Sequence, residues 1–459
     1  MSVEILSEQL EDILETGDET TLRDFIDRQN ISDVADLVYE FPDAGTKIIA
    51  SMSVHRAVGV FKILEFQSQK KIMQALPPDK TASLLNELPP DDRTDFLEEL
   101  PSNVLRELIK LLDNEERKIT LSLLGYPESS VGRLMTPDYV YVYEKNTVQQ
   151  VLDTVRRVGK NSETIDVIYV LNDKGELLDD IRIREFILAS PSTKVEELMD
   201  NRVISLNAYQ DQEEAAAVFR MNNRVALPVV SNSNKLLGIV TIDDVLWVAG
   251  EEFSEDMQKI GGTEALDEPY LEIPLQRLFK KRVIWLVVLF FGELLTASAM
   301  AYFEDELKKM LVLTLFIPLI MSSGGNSGSQ ASTLIIQAMA VGEITILDWW
   351  RVMRREIISG LLLGTVLGLI GFLRIWVWHS VSPGLYGEHW VLLGIVIGVT
   401  LLGVVLWGTL CGSMLPILLK KLGADPAVSS APFVATLVDV TALVIYFTVA
   451  LVVLSGTAL

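Results

Sequence analysis

Five apolar stretches in the C-terminal part of the chain constrain this protein more than any other feature. Each is as long as, or longer than, the ~20 residues that an α-helix needs to cross the ~30 Å hydrocarbon core of a bilayer. Segments in lipid must satisfy their backbone polar groups internally, so they are expected to be helical. The predicted spans are Val283–Tyr302, Leu311–Ala340, Ile357–Trp378, Trp390–Leu419 and Ser429–Leu454.

Charge is divided unequally between the part before these spans and the part that contains them. The 459 residues carry a net charge of −23. Residues 277–459 hold 12 basic and 10 acidic side chains, which leaves 27 basic and 52 acidic ones in residues 1–276, a net of −25. Because phosphate binding needs surplus Lys and Arg, nucleic acid is excluded as a partner. We expect an acidic soluble part joined to a domain in the lipid bilayer.

The basic residues that flank the spans predict their orientation. Nine precede the first span or lie in the second–third and fourth–fifth junctions, and three lie on the other side: Arg277, Lys280, Lys281, Arg282, Arg351, Arg354, Arg355, Lys420 and Lys421, against Lys308, Lys309 and Arg374. The positive-inside rule then places the N-terminus in the cytoplasm and the C-terminus outside. The first residues also lack the basic and apolar regions of a signal peptide. We expect a multi-pass protein of the cytoplasmic (inner) membrane.

The second span contains nine consecutive small or polar residues, Ser322-Ser323-Gly324-Gly325-Asn326-Ser327-Gly328-Ser329-Gln330. Small residues let helices pack closely, and hydroxyls bond between them. Asn326 and Gln330 are four residues apart, so their amides share a helical face that suits a wet cavity better than lipid. We expect this face to line a pore, with close helix packing as the alternative.

Two carboxylates are predicted at membrane depth. Asp439 lies near the middle of the fifth span, where a charge costs ~2.5–3.5 kcal/mol even on the lenient insertion scale. Only Arg374, near the far end of the third span, approaches this depth, so a cation from solution is the favoured counter-charge. A hydrogen bond to a hydroxyl of a neighbouring helix is the alternative. Glu293, in the first span, fits a pore and a structural bond equally well.

Residues 1–130 are predicted to form an acidic stack of short helices. Leu76-Pro77, Leu88-Pro89 and Leu100-Pro101 recur at intervals of 12. Proline ends the preceding helix and is tolerated in the first turn of the next. Asp79, Asp91 and Asp92 fall at helix starts, where they either cap the helix or have a further role.

Residues 131–250 contain a two-fold repeat, with copies at 131–195 and 196–250. The N-terminal motifs align at an offset of 64 and the later strands at 59, which predicts a five-residue insertion near 159–164. Each copy predicts an extended segment, helix, strand, turn, strand and helix. The repeat resembles a tandem CBS-domain pair, which implies ligand sensing and dimerisation. The first copy has Asp179-Asp180 where the second has Gly238-Ile239, which argues against a site for ATP there.

Residues 251–276 are predicted to form an acidic connecting helix and linker ahead of the membrane domain, residues 277–459. Glu251/Glu255 and Glu252/Asp256 are like-charge pairs four residues apart, and each weakens a helix by ~0.2–0.5 kcal/mol. A divalent cation would turn that repulsion into attraction. A solvated acidic face is the alternative.

The order of these parts resembles the MgtE family of magnesium channels, as do Gly-Gly-Asn-Ser-Gly-Ser-Gln at 324–330 and the fifth-span run from Pro432 to Thr441. The resemblance implies a multidomain α-helical membrane protein with an N-terminal helical superhelix domain, an α/β tandem CBS pair and a five-helix transmembrane domain. It also implies a homodimer with a pore on its two-fold axis.

The resemblance implies roles for individual residues as well. Asp439 of each chain would form the site for hydrated Mg²⁺, with Ala435 and Thr436 beside it and Asn326 and Gln330 along the pore. Cytosolic Mg²⁺ would bind a set of acids and close the pore through the connecting helix: Asp91, Asp244, Glu252, Glu255 and Asp256. Mg²⁺ prefers oxygen ligands, and this chain has few soft ones, with one cysteine and three histidines.

Two other classes of function were weighed. A CBS-regulated secondary transporter for another divalent cation or a small solute would need, for an anionic or zwitterionic substrate, a basic residue or a broken-helix N-terminus at the midplane. Neither is evident. A membrane enzyme would need a paired nucleophile and base, which are not found, so we expect no enzymatic activity.

Overall fold

The structure is a computed structural model that describes residues 3–266, 268, 270–271, 273–304, 311–382 and 384–454. It divides into two compact units, Met1–Ala249 and Gly250–Leu459. Each unit has its own core, and each is described by itself.

The first unit begins with ten short helices, and the first nine share one apolar core that extends from Leu6 to Leu112. Pro77, Pro89 and Pro101 are the N-cap residues of three of them, as the recurring Leu-Pro pairs predicted. The helices are α1 Val3–Thr16, α2 Glu19–Ile26, α3 Ile31–Glu40, α4 Gly45–Ser51, α5 Val54–Phe61, α6 Phe66–Ala75, α7 Pro78–Glu87, α8 Pro90–Glu98, α9 Ser102–Ile109 and α10 Asn114–Leu123.

Two small three-stranded sheets follow, one in each copy of the repeat. Each sheet has a parallel pair and an antiparallel pair, in the order β1-β2-β3 and β4-β5-β6. The elements are α11 Val131–Leu134, β1 Tyr141–Tyr143, α12 Val148–Val158, β2 Val167–Leu171, β3 Leu177–Arg182, α13 Ile183–Leu188, β4 Leu206–Asn207, α14 Gln212–Asn222, β5 Ala226–Val230, β6 Leu236–Thr241 and α15 Ile242–Ile260.

The two copies match strand for strand, which confirms the predicted repeat. The β2–β3 hairpin pairs Val167 with Arg182, and the β5–β6 hairpin pairs Ala226 with Thr241, both at the expected offset of 59. Both hairpins shift register one residue before the end of their first strand. The helix before each hairpin keeps the offset of 64, so the five-residue insertion lies between α12 and β2, as predicted.

The second unit contains five helices that are long and apolar enough to cross a membrane. They are α16 Leu275–Tyr302, α17 Ile317–Ala340, α18 Trp349–Val381, α19 Trp390–Lys421 and α20 Ala431–Leu454. Short 3-10 turns precede three of them, at Leu311–Phe316, Ile346–Asp348 and Pro426–Val428. The five predicted spans are therefore confirmed, although their bounds differ.

The helices extend past the apolar stretches into the basic junctions. Arg277 and Lys280 lie in α16, Arg351 lies in α18, and Lys420 and Lys421 form the last turn of α19. Long basic side chains reach the interface from a helix end, so the helix need not stop where the apolar run stops. Lys308 and Lys309 lie outside the described residues.

Close contact between α17 and α19 forms the centre of this unit. A Cβ atom added to Gly412 would lie 2.1 Å from the Gly328 carbonyl oxygen, and one added to Gly408 would lie 2.5 Å from that of Gly324. The two backbones touch directly, which only glycine allows. This is the packing alternative of the sequence prediction, and it accounts for Gly324 and Gly328 of the 322–330 stretch.

Candidate ion site and acidic clusters

Asp439 lies nine residues into α20 and is half-buried. A Cβ atom added to Gly325 of α17 would lie 3.4 Å from the Oδ1 atom of Asp439 and 3.4 Å from the Cβ atom of Ala435. Ala435 and Asp439 are one helical turn apart, so α17 covers one side of both. In the described part of the chain, the Asp439 carboxylate has no hydrogen-bond or ion-pair partner. A carboxylate at this depth needs a counter-charge, and the described residues of the single chain do not supply one.

The first membrane helix approaches the same region of α20. A Cβ atom added to Gly292 of α16 would lie 2.6 Å from the Cγ2 atom of Thr436. Glu293, the next residue, is exposed on the surface of the single chain. Helices α16 and α17 therefore pack against α20 at the level of the Ala435–Asp439 turn.

The polar residues of the 322–330 stretch divide between two roles. Ser329 donates a hydrogen bond to the Ala431 carbonyl at 2.9 Å and so ties α17 to the start of α20. Asn326 and Gln330 are instead exposed, and the Asn326 amide donates to the Ser322 hydroxyl at 3.3 Å. The pore-lining role predicted for Asn326, Gln330 and Thr436 stays a prediction, with all three on helices that surround Asp439.

Arg374, the basic residue nearest to membrane depth in the sequence, is held elsewhere. Its guanidinium carbon lies 5.3 Å from the centre of the Phe316 ring and 5.8 Å from that of Trp378. Both contacts have the geometry of cation–π interactions. Arg374 is not an ion-pair partner of Asp439.

A second group of carboxylates lies in the first unit, where the start of α8 meets the start of α15. We call it the acidic cluster, and its members are Asp91, Asp92, Glu163, Asp243 and Asp244. Asp91 is 7% exposed, and its Oδ1 atom is buried without a hydrogen-bond partner. Asp244 accepts a hydrogen bond of 2.5 Å from the Thr241 hydroxyl. The fold thus brings acids from α8, the loop after α12 and α15 into one region.

The electrostatics of the acidic cluster favour positive charge. Burial and then the Asp244 carboxylate raise the pKa of Asp91 well above its usual range. Burial, opposed in part by the Thr241 hydrogen bond, raises the pKa of Asp244 to about 7. The pKa values of Asp92 and Glu163 are raised as well, first by burial. A bound cation would remove these penalties, because it stabilises the charged form of each acid.

One lysine already lies beside the acidic cluster. The Lys62 ammonium is 3.5 Å from Asp92 Oδ2. Burial opposes its charge, but Asp92 and its neighbours raise the pKa of Lys62 above the usual value. Among the described residues, no group of three or more His, Cys, Asp or Glu side chains is arranged to hold a metal ion directly. A hydrated ion needs less, since water can bridge it to acids that are further apart.

Sequence reasoning identified Asp91 and Asp244 and left a further role open for Asp92, but it assigned no role to Asp243 or Glu163. Asp92 and Asp243 are the sequence neighbours of these two residues, and the doubled acids were the available signal. No local pattern indicated Lys62 or Glu163. The capping interpretation for the helix starts is wrong, because Pro77 and Pro89 occupy the N-caps of α7 and α8 and no side-chain capping bond forms.

The acids predicted on the connecting helix lie on the second half of α15. Glu255 forms an ion pair with Lys259, at 2.5 Å between the carboxylate and ammonium, rather than facing only other acids. Lys259 also contacts Asp425 at 2.6 Å. Glu252 and Asp256 are half-buried. Roles in Mg²⁺ binding for Glu252, Glu255 and Asp256 stay predictions.

The doubled aspartate of the first repeat copy has a structural role. Asp179 is 1% exposed and accepts hydrogen bonds from the backbone amides of Asp200 and Asn201, at 2.8 and 3.0 Å. Asp180 forms a 2.8 Å ion pair with Arg224. In the second copy, Gly238 leaves room for the Thr136 carbonyl, which a Cβ atom would approach to 2.7 Å. The departure in sequence thus replaces a backbone contact with side-chain bonds.

Comparison with known families agrees with this architecture in the helical domain, the repeat and most of the membrane domain. A family model described as a divalent cation transporter, MgtE, matches residues 317–449, the MgtE intracellular N domain matches 29–129, and the CBS domain matches 131–192 and 195–251. A protein named magnesium transporter MgtE from Thermus thermophilus is 40% identical over 345 residues, 75% of this chain and 74% of that protein. The chain belongs to the MgtE family.

Further relatives support the assignment over the whole length. The magnesium transporter MgtE of Bacillus subtilis is 30% identical over 447 residues, 95% of each chain. A crystal structure of the cytosolic domain of the Mg²⁺ channel MgtE in complex with ATP is 33% identical, with a TM-score of 0.51, and covers 53% of this chain and 99% of that one. The predicted family, its CBS pair and its five membrane helices are thereby confirmed for this MgtE family member.

Proposed function

We propose that this chain transports Mg²⁺ across the cytoplasmic membrane, along a path that contains Asp439. The carrying observation is a half-buried carboxylate on α20 that has no partner within the described chain and lies one turn from Ala435. The matching divalent cation transporter family model covers this region, and relatives named magnesium transporters support the choice of ion. A hydrated Mg²⁺ suits the site, because it keeps its water and carboxylates can accept hydrogen bonds from that water.

The transporting unit is proposed to be a homodimer with the path on its two-fold axis. Five helices in one chain cannot form a simple inverted repeat, so a symmetric path needs a second chain. Exposed apolar side chains on α13, α14 and α15 support association through the CBS pair: Ile187 65%, Leu188 74%, Met221 80%, Leu246 66% and Trp247 64% exposed. Mass photometry in mild detergent should find dimers, and monomers alone over a wide concentration range would contradict the axial path.

Regulation by cytosolic Mg²⁺ is proposed to act through the acidic cluster and the acids of α15. Buried acids with raised pKa values repel one another at neutral pH, and a divalent cation stabilises only the arrangement that brings them together. The nine-to-three bias of basic residues supports a cytoplasmic N-terminus, which exposes these acids to cytosolic Mg²⁺. ATP is a proposed second ligand, since a related cytosolic domain was crystallised with it.

Flux through purified protein tests the proposal directly. Proteoliposomes that contain a Mg²⁺-sensitive dye should take up Mg²⁺ when the protein is present, with uptake lowered by millimolar Mg²⁺ on the cytosolic face. Empty liposomes and the Asp439→Asn variant are the controls. Uptake of a labelled anionic or zwitterionic solute without Mg²⁺ uptake would favour the secondary transporter instead.

A further inference from the structure

Lys259, in the last turn of α15, lies between carboxylates from two separate elements. Its ammonium is 2.5 Å from Glu255 Oε1, one turn earlier on the same helix, and 2.6 Å from Asp425 Oδ2. Asp425 is 166 residues further along the chain, in the junction between α19 and α20. The side chains are partly buried, with Lys259 27%, Asp425 35% and Glu255 40% exposed.

The second oxygen of Asp425 holds this carboxylate in place. Asp425 Oδ1 accepts a hydrogen bond of 2.8 Å from the Ala427 amide and so caps the 3-10 turn Pro426–Val428. That turn leads directly into α20, the helix that carries Asp439. The carboxylate is therefore oriented before any cation meets it, and the position of Lys259 is linked to the start of α20.

The chain after Lys259 lies against the same start of α20. Gly262 has φ +76°, and a Cβ atom there would be 3.2 Å from Pro432 Cγ and 3.6 Å from Ser430 Oγ. The Gln258 side chain accepts a 2.6 Å hydrogen bond from the Leu266 amide, and the Gln258 carbonyl accepts one of 2.9 Å from the Thr263 hydroxyl. The end of α15 is thus folded back onto itself and seated against Ser430 and Pro432.

Glu255 and Asp425 would repel each other without a cation between them. Lysine supplies that cation as part of the chain, so its local concentration does not depend on the solution. Burial opposes the charge on Lys259, but the hydrogen bonds that its ammonium donates to Asp425 and Glu255 raise the pKa of Lys259 above the usual value. The ammonium is therefore charged throughout the physiological pH range.

We propose that Lys259 is a positioning residue. Its ammonium holds the end of α15 against the start of α20 whether or not Mg²⁺ is bound. The contact itself does not depend on the proposed function. Its effect on transport does, since α20 carries the proposed transport site. Regulatory Mg²⁺ would then act on the acids of α15 that precede Lys259, while the contact between the end of α15 and the start of α20 stays in place.

Hydrogen exchange in the full-length protein in lipid nanodiscs tests this contact without measuring transport. In EDTA, the amides of residues 255–263 should be protected in the wild type. Lys259→Met should speed their exchange on the order of tenfold, as expected for loss of a partly buried ion-pair network. Asp425→Asn, which keeps the Oδ1 acceptor for Ala427 but removes the charge, should do the same. Lys280→Met, an equal loss of charge at an exposed site on α16, should leave the exchange unchanged.

Two further arms identify charge as the cause. Lys259→Arg keeps the cation on α15 and the Asp425 cap of Ala427, and it should retain the protection that Lys259→Met removes. Millimolar Mg²⁺ should slow exchange in Lys259→Met, because it returns positive charge between the two carboxylates. It should change little in the wild type at residues 259–263, which lie beyond the acids proposed to bind regulatory Mg²⁺.

Wild-type exchange rates in Lys259→Met in EDTA would overturn the proposal, as would a Lys259→Arg variant that exchanges as fast as Lys259→Met. So would Lys259→Met exchange that does not respond to Mg²⁺. If the exchange differences are found but the wild-type protein shows no Mg²⁺ flux or gating in liposomes, the proposed function would be wrong and the contact would still hold.

Discussion

At the scale of single residues, Asp439 has the sharpest consequence. Asp439→Asn preserves size and hydrogen-bonding capacity but removes the charge, so folding and dimerisation should survive. Mg²⁺ flux should fall on the order of tenfold or more, equivalent to about 1.4 kcal/mol of ion stabilisation. Asp439→Glu keeps the charge on a longer arm and should retain partial flux with altered selectivity. Growth of a magnesium-auxotrophic host that carries each variant is the measurement.

A purely structural role for Asp439 predicts the reverse order, with Asn tolerated and Glu disruptive. Surface expression of each variant has to match the wild type before growth is compared. Robust rescue by Asp439→Asn would remove this residue from the transport path.

Asp91 predicts a pH dependence of stability. Its folded-state pKa is raised, so the folded state binds more protons than the unfolded chain, and its contribution to stability is lost as pH rises. The neighbouring Asp244 has a pKa of about 7. The destabilisation caused by the Asp91–Asp244 pair should therefore be present at pH 8 and much reduced at pH 6. In EDTA at pH 8, Asp91→Asn should raise the apparent unfolding temperature of the full-length protein by about 2–4 °C.

Asp79→Asn is the matched control, because Asp79 has the equivalent position on α7 but is exposed. It should change the unfolding temperature by less than a degree or so. Mg²⁺ should stabilise the wild type at pH 8 more than Asp91→Asn. An Asp91→Asn effect that is equal at pH 6 and pH 8 would contradict a charged, buried Asp91.

At the scale of elements, the backbone contact between α17 and α19 sets how the membrane helices pack. Gly412→Ala would place a methyl group 2.1 Å from the Gly328 carbonyl oxygen, so the helices must separate. Overpacking of this kind costs about 1–3 kcal/mol. The variant should elute with a broadened or aggregated peak in size-exclusion chromatography after mild heating.

Gly403→Ala tests whether any glycine substitution in α19 has this effect. Its added methyl group would lie 3.5 Å from Ile445 Cγ2, an ordinary contact. This variant should elute like the wild type. Equal behaviour of the two variants would show that the α17–α19 contact does not limit stability.

At the scale of the whole molecule, an excess of 25 negative charges in residues 1–276 should oppose compaction when Mg²⁺ is low. Millimolar Mg²⁺ should protect this part from proteolysis and lower the open probability in lipid-bilayer recordings. Joint neutralisation of Asp91, Asp244, Glu252, Glu255 and Asp256 should leave a channel that no longer closes.

The effect of lost net charge has to be distinguished from the effect of neutralising these five positions. A control with five exposed acids neutralised elsewhere in the same part removes the same charge: Glu11, Asp12, Asp79, Asp153 and Asp173. That variant should still close in Mg²⁺. Mg²⁺ inhibition that is unchanged in the first variant would show that its five acids are not the sensor.

The sequence by itself determined the elements and their order. Twenty apolar residues in a row leave one conformation in lipid, proline ends a helix wherever it occurs, and the strands of a repeat recur at a constant offset. These are local properties, so the five spans, the Leu-Pro boundaries and the five-residue insertion could be predicted. Asp439 could be predicted as well, because a lone acid in an apolar run is anomalous whatever its neighbours are.

Only the tertiary structure decided which charges meet. Asp91 joins Asp244 because α8 packs near the start of α15, and no spacing in the sequence encodes that approach. The sequence indicated no role for Lys259, whose ammonium the fold brings to 2.6 Å from Asp425. Pairing of this kind depends on how apolar surfaces pack, which sums many weak contacts over the whole core. Burial then changes the pKa values, since desolvation exists only once the fold has excluded water.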